Sequence, residues 1–191
     1  VRNRCGLFDL TPMGRIEVYG EEREDVSQAA ITKNVKKVRV GAARDGLLLN
    51  EEGGGKDDVL LYGEVAMVHI VVNCSNREVD HQHFLAHAEG RDVTVRNVSD
   101  EQAMLALQGP ASEKALQPLV EADLTELGYY RFMRTRVSGT DVILSRTGYT
   151  GEDGFELFLP PEEGARIWRE LLESGAEVGI QPIGLGARDV L

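Results

Sequence analysis

The stretch from Ser145 to Glu156, Ser-Arg-Thr-Gly-Tyr-Thr-Gly-Glu-Asp-Gly-Phe-Glu, constrains this chain more than any other. Gly148, Gly151 and Gly154 recur at a spacing of three, among a Tyr, two Thr, an Arg and three acids. So much glycine is foreign to a helix interior, and the polar content is foreign to a core strand. The pattern predicts a tight loop that presents polar side chains, followed by a strand through Phe155, Leu157 and Leu159. By composition alone such a loop is either surface ornament or one wall of a site.

A chain of 191 residues suffices for one substantial domain or two small ones. Its charge narrows the partners: 21 basic against 32 acidic residues leave a net charge of −11, which disfavours a nucleic-acid or anionic-membrane surface. No apolar run approaches the length of a membrane-spanning helix, and no charged-then-apolar leader opens the sequence. Cys5 and Cys74 are too few for a disulfide framework or a zinc site, and a reducing, cytoplasm-like setting is expected. The start at Val1 and the stop at Leu191, just after Gly184-Leu185-Gly186-Ala187-Arg188-Asp189, read as a fragment cut inside a helix.

Strands are expected at Gly6 to Phe8, Arg15 to Tyr19, Val65 to Val72, Ala103 to Leu107, Tyr129 to Val137 and Val142 to Ser145. A hairpin is expected around Gly53-Gly54-Gly55, and an edge strand over Asp92 to Val98. Helices are expected at Glu21 to Thr32, Arg77 to Ala88, Ala111 to Val120 and Glu162 to Glu173, the second with Val79, His83 or Phe84, and His87 along one side. Antiparallel strands with a few helices and short turns predict an α+β fold, mostly antiparallel sheets with flanking helices.

Asp57-Asp58, beyond the Gly-rich turn, is a paired acid that could position or protonate a substrate nitrogen, or else tip a solvated hairpin. A metal is not expected, because no further oxygen ligands stand at suitable spacing, and His81, His83 and His87 lack a zinc-binding pattern. The Gly53-Gly54-Gly55 turn lacks the Gly-Lys-Ser/Thr of a phosphate loop. Arg188, beside a Gly-rich turn, offers a planar fork for a carboxylate or ring amide.

Taken together, these segments resemble the aminomethyltransferase family, the T-protein of the glycine cleavage system. The resemblance rests on Ser145 to Glu156 and on five further segments in the family's order: Gly6-Leu7-Phe8-Asp9 with Met13-Gly14; Asn50-Glu51 with Gly53-Gly54 and Asp57-Asp58; Val71-Val72-Asn73 with Asn76; Leu107-Gln108-Gly109-Pro110; and Gly184 to Asp189. It covers the whole chain but about half of a full member. It implies a first, discontinuous module at 1–19 and 117–191 around an inserted ferredoxin-like module at 20–116. It also implies transfer of a one-carbon unit from the aminomethyl-lipoyl arm of the H-protein to tetrahydrofolate, with release of ammonia.

By position, Asp58 resembles the catalytic acid that orients a folate nitrogen. Asn73, Tyr149, Glu156 and Arg188 resemble folate-binding residues, and Met13 and Tyr62 apolar or stacking contacts. No metal, nucleic acid or membrane partner is implied. The implied compartment is the cytoplasm in bacteria or archaea, or the mitochondrial matrix in eukaryotes. A chain ending at Leu191 is expected to be weak in catalysis by itself. The alternative is a non-catalytic folate-binding or regulatory module of the same fold. The chain departs from the family pattern at Thr11-Pro12, where Ser-His is usual, at Glu17, where an apolar residue is common, and at Asp45, where many members have Tyr.

Overall fold

The computed structural model describes residues 1–191. In chain order the elements are β1 (Cys5–Asp9), β2 (Gly14–Tyr19), α1 (Arg23–Ala30), β3 (Ala43–Leu49), β4 (Gly55–Gly63), β5 (Met67–Val72), α2 (Arg77–Ala88) and β6 (Thr94–Asn97). Then follow β7 (Ala103–Gln108), α3 (Ser112–Leu116), β8 (Phe132–Val137), β9 (Thr140–Ser145), β10 (Gly154–Leu159), α4 (Pro161–Ser174), β11 (Ile180–Pro182) and α5 (Leu185–Arg188). The architecture is α+β, with every strand pair antiparallel except β1 with β11.

The chain divides into two compact units, 1–11 with 101–191, and 12–100. These bounds differ from the expected breaks at 19/20 and 116/117, and strand pairing is the reason. β2 forms its ladders with β5 and β6, so it belongs with the inner segment. β7 lies between β1 and β10, so it belongs with the chain ends.

In the 12–100 unit the sheet order is β3-β4-β5-β2-β6. Side chains alternate across a strand, so Val59 and Leu61 of β4, Ile16 and Val18 of β2, and Val68 and Ile70 of β5 share one face. They pack there with Val26 of α1 and Phe84 of α2 into one core. The opposite, helix-free face carries Asp58, Leu60 and Tyr62 from β4, His69 from β5 and Glu17 from β2. The face of α2 that turns inward is not the expected one. Asp80 and Phe84 are its buried residues, while Val79 is 54% exposed.

In the other unit the order is β11-β1-β7-β10-β9-β8. Leu7, Leu105, Leu107, Leu144, Phe155 and Leu157 form a core with Leu116 of α3 and with Ile167 and Leu171 of α4. α4 is the amphipathic helix its periodicity predicts, opened by Pro161 at a position where a missing N–H costs nothing. Glu156 sits between Phe155 and Leu157 on the strand, so it points to the helix-free face, opposite Ala106 and Ser145.

Candidate functional site

The expected site residues fall in both units, and each set is described within its own unit. In the 12–100 unit, Asp57 and Asp58 are neighbours on β4, and the pleat sends them to opposite faces. They stand inside the strand rather than at the tip of the β3–β4 hairpin. Asp58 is exposed, on the helix-free face. Asn73, at the end of β5, reaches both acids. Its Nδ2 donates to Oδ1 of Asp58 at 3.0 Å and to Oδ1 of Asp57 at 2.8 Å, and its backbone N–H donates to Oδ2 of Asp57 at 3.0 Å. Asn76 adds a fourth contact, Nδ2 to Oδ1 of Asp57 at 2.9 Å.

Burial raises the pKa of Asp57, but hydrogen bonds from Asp80, Asn73 and Asn76 outweigh it and leave the carboxyl below its ordinary range. Asp80 itself is fully buried on α2. Burial first, then its hydrogen bond to Asp57 and the Asp57 charge, push it up to about 8, while Lys56 pulls the other way.

Tyr62 is 1% exposed, its ring edge-on to His69 at 5.7 Å between centroids. Glu17 comes with partners of its own: His69 Nδ1 lies 3.4 Å from Oε1, and the Tyr19 hydroxyl donates to Oε2. Burial pushes Glu17 up, and those two hydrogen bonds more than reverse it. The carboxyl at this departure from the family pattern therefore comes with hydrogen-bond partners of its own. Met13 is half-buried, its carbonyl accepting from Arg15 Nη1 at 2.6 Å.

In the other unit the glycine-spaced loop closes around a side chain that the sequence reading did not assign to the site, Gln108. A Cβ on Gly148 would come within 2.0 Å of Gln108 Oε1, and one on Gly154 within 2.5 Å of its Cδ. Gln108 Nε2 donates to the Thr147 carbonyl at 2.9 Å, and the Thr150 hydroxyl donates to Oε1 at 2.9 Å. Two of the three glycines thus exist to admit a buried amide, and only Gly151 has positive φ, at +73°.

Arg146 fastens the same loop. Its guanidinium takes Asp153 in a fork at 2.8 and 2.6 Å, reaches Glu113 at 2.9 Å, and lies 5.1 Å from the Phe155 ring centroid. Glu156 is 1% exposed and accepts from the Thr147 hydroxyl, whose oxygen lies 2.8 Å from Ser145 Oγ and can accept from that hydroxyl in turn. Tyr149, by contrast, is 42% exposed at the loop surface. Arg188 lies on α5 and pairs with its neighbour Asp189 at 3.2 Å.

The structure therefore joins Asp58 to Asn73, and places Tyr149 within the Thr147–Thr150 turn and Glu156 beyond it on β10. It adds Asp57, Asn76, Asp80, Thr147 and Gln108 to the expected residues. Fold and site together define a two-unit α+β protein whose ordered carboxylates and amides are suited to reading hydrogen-bond donors on a small polar molecule. The chain belongs to the family described as the GCVT N-terminal domain, which it matches over residues 1–191.

Among curated proteins it is 46% identical over 191 residues to an aminomethyltransferase of Rubrobacter xylanophilus, and 45% identical over 194 residues to one of Bacillus cereus. Each match takes in 100% of this chain, and 50% and 52% of those proteins respectively. The glycine cleavage system aminomethyltransferase T of Bartonella henselae superposes with a TM-score of 0.89 at 30% identity, over 100% of this chain and 50% of that one. The chain spans about half the length of the curated relatives it matches.

Proposed function

We propose that this chain is the folate-binding part of an aminomethyltransferase. The enzyme would take the aminomethyl group from the lipoyl arm of the H-protein, release ammonia and pass the one-carbon unit to tetrahydrofolate as its methylene derivative. The single observation that carries this reading beyond family membership is the exposed Asp58 carboxylate held by the Asn73 amide at 3.0 Å. A fixed acceptor suits the ring N–H and amino groups of a reduced pterin, and fixing it beforehand removes the cost of orienting it during reaction.

In this reading Asp58 orients and polarises the folate nitrogen and stabilises positive charge developing on the transferred carbon. It is not a covalent nucleophile. Asn73 holds Asp58 and offers an amide to the ligand. Glu156, a buried carboxylate already given one donor by Thr147, accepts from pterin N–H groups. Tyr149 supplies an aromatic face, Arg188 a paired donor for a carbonyl or carboxylate, and Met13 and Tyr62 apolar contact. The residues present fit such a ligand, because Asp58, Asn73, Glu156 and Arg188 carry the donors and acceptors their roles ask for, and Met13, Tyr62 and Tyr149 the apolar or aromatic surface.

The test uses the longer protein of which this chain is a part, with lipoylated H-protein and tetrahydrofolate. Asp58→Asn is expected to lower turnover by about 100-fold or more, as expected for losing a charge aimed at the reacting centre. Binding of a folate analogue, followed by calorimetry, should survive. Intact turnover in Asp58→Asn, together with no folate binding by the unaltered protein, overturns the proposal.

A further inference from the structure

In the 12–100 unit two carboxyl groups meet in the interior, and only one arrangement of protons satisfies both. Asp80 is 0% exposed, and neither of its oxygens takes an N–H or O–H from elsewhere in the protein. Its one polar neighbour of consequence is the Asp57 carboxyl. Two ionised carboxylates in such a position repel in a medium that screens poorly, so one of them keeps its proton. Asp57 accepts three N–H bonds from Asn73 and Asn76. Those bonds favour its charged form, whereas Asp80 has nothing comparable. The proton therefore rests on Asp80.

We propose that Asp80 is a positioning residue: its carboxyl donates its proton to Asp57, Asp57 fixes the Asn73 side chain, and Asn73 holds Asp58 in place. The chain of contacts crosses the sheet. It starts on α2, passes through β4 on the helix-covered face, turns at the end of β5 and ends on the helix-free face. The charged and titratable groups facing Asp80 are Asp57 and Lys56 of β4. Lys56 Nζ is itself engaged by His83 Nδ1 at 3.2 Å. Ionisation of Asp80 would place a second negative charge against Asp57, break the donation and loosen the Asn73 amide. The role of Asp58 as the reacting acid rests on the function proposed above, whereas the location of the proton does not.

Two experiments on the longer protein separate these points. Carbon-13 NMR of aspartate carboxyl groups, assigned with Asp80→Asn, should show Asp80 titrating at about 8, with the Asn73 side-chain amide signals shifting in step. Titration within the ordinary carboxylate range, or Asn73 signals indifferent to it, overturns the proposal. In the transfer assay Asp80→Asn, whose amide can still donate to Asp57, should keep kcat within about 3-fold, while Asp80→Leu loses about 10- to 100-fold in kcat with folate-analogue affinity little changed.

The fall in kcat above a pH of about 8 should be present in the unaltered protein and absent from Asp80→Asn. An Asp80→Asn protein as impaired as Asp80→Leu, or one that keeps the alkaline fall, also overturns the proposal. Should the unaltered protein show no transfer at all, the functional reading fails, and the NMR titration still decides where the proton lies.

Discussion

The Nδ2 of Asn73 lies 3.0 Å from Oδ1 of Asp58 and 2.8 Å from Oδ1 of Asp57, so a single amide nitrogen joins two acids that face opposite sides of one strand. Replacing it by Leu, a side chain of similar size, strips Asp57 of its side-chain donor from this residue and Asp58 of its holder, while the backbone N–H of residue 73 still donates to Asp57. Asn73→Leu is expected to cost about 1 kcal/mol in stability, because a half-buried and an exposed acceptor each lose a hydrogen bond. Urea denaturation measures the stability, and the aminomethyl-transfer assay should show turnover falling further than folate affinity. Unchanged turnover would separate Asn73 from the site.

The Gln108 side chain fills the space that side chains at 148 and 154 would need. Gly148→Ala is expected to destabilise by about 1–3 kcal/mol, the usual cost of overpacking. Added to Gln108→Ala, the same substitution should cost clearly less, since the obstacle is then gone. A double-mutant cycle checks this. Strict additivity would show that Gln108 does not set the glycine requirement.

Arg146→Lys keeps the charge but loses the fork on Asp153 and the contact over Phe155. Arg146 is 17% exposed while Asp153 and Glu113 are 39% and 35% exposed, so solvent screens part of the pair. A loss of about 1–2 kcal/mol is expected. Thermal unfolding of the two proteins side by side measures it, and a Lys variant as stable as the parent would rule out a geometric role for the guanidinium.

Stability should depend on pH through Asp80. Its folded value, about 8, lies above the ordinary carboxylate range, so folding takes up a proton between the two. The contribution is fully present below the ordinary range and is lost as pH rises towards the folded value. Asp57 runs the other way, its contribution present above its ordinary value and lost on acidification. On passing from neutral pH to pH 9, unaltered protein should lose urea stability and Asp80→Asn should lose less. Equal losses would contradict the assignment.

The two thiols should differ in reactivity. Cys5 is buried and its thiol is pushed up to about 12 by burial, while Cys74 is exposed. Thiolate is the reactive form, so a maleimide should label Cys74 in the native protein and reach Cys5 only after denaturation. Peptide mass spectrometry reads both sites.

Much of the fold could be read from runs of β-branched residues and from the periodicity of α4, because those signals are local. The points missed depend on tertiary neighbours. An Asp in the first turn of a helix reads as a solvent-facing residue at the positive end of the helix dipole, and only Asp57 from another element makes Asp80 an inward one. Gln108 closes a strand, but its partners Thr147 and Thr150 stand 39 and 42 positions further on. The unit boundaries escaped for the same reason, since the pairing of β2 and β7 is set by strands distant in sequence. Asp58 and Asn73 were named as candidates because family order, rather than composition, brought them into view.

The Gln108 arrangement also bears on how the protein reaches its native state. The Ser145–Glu156 loop has little apolar content of its own with which to collapse, and the amide it wraps belongs to a strand laid down much earlier in the chain. Its shape is available only after β7 and β10 have come into register. Closing such a long stretch of chain is slow compared with forming local contacts. The loop is therefore a late-folding element, and a pulse-labelling experiment during refolding should find its amides protected after those of the central strands.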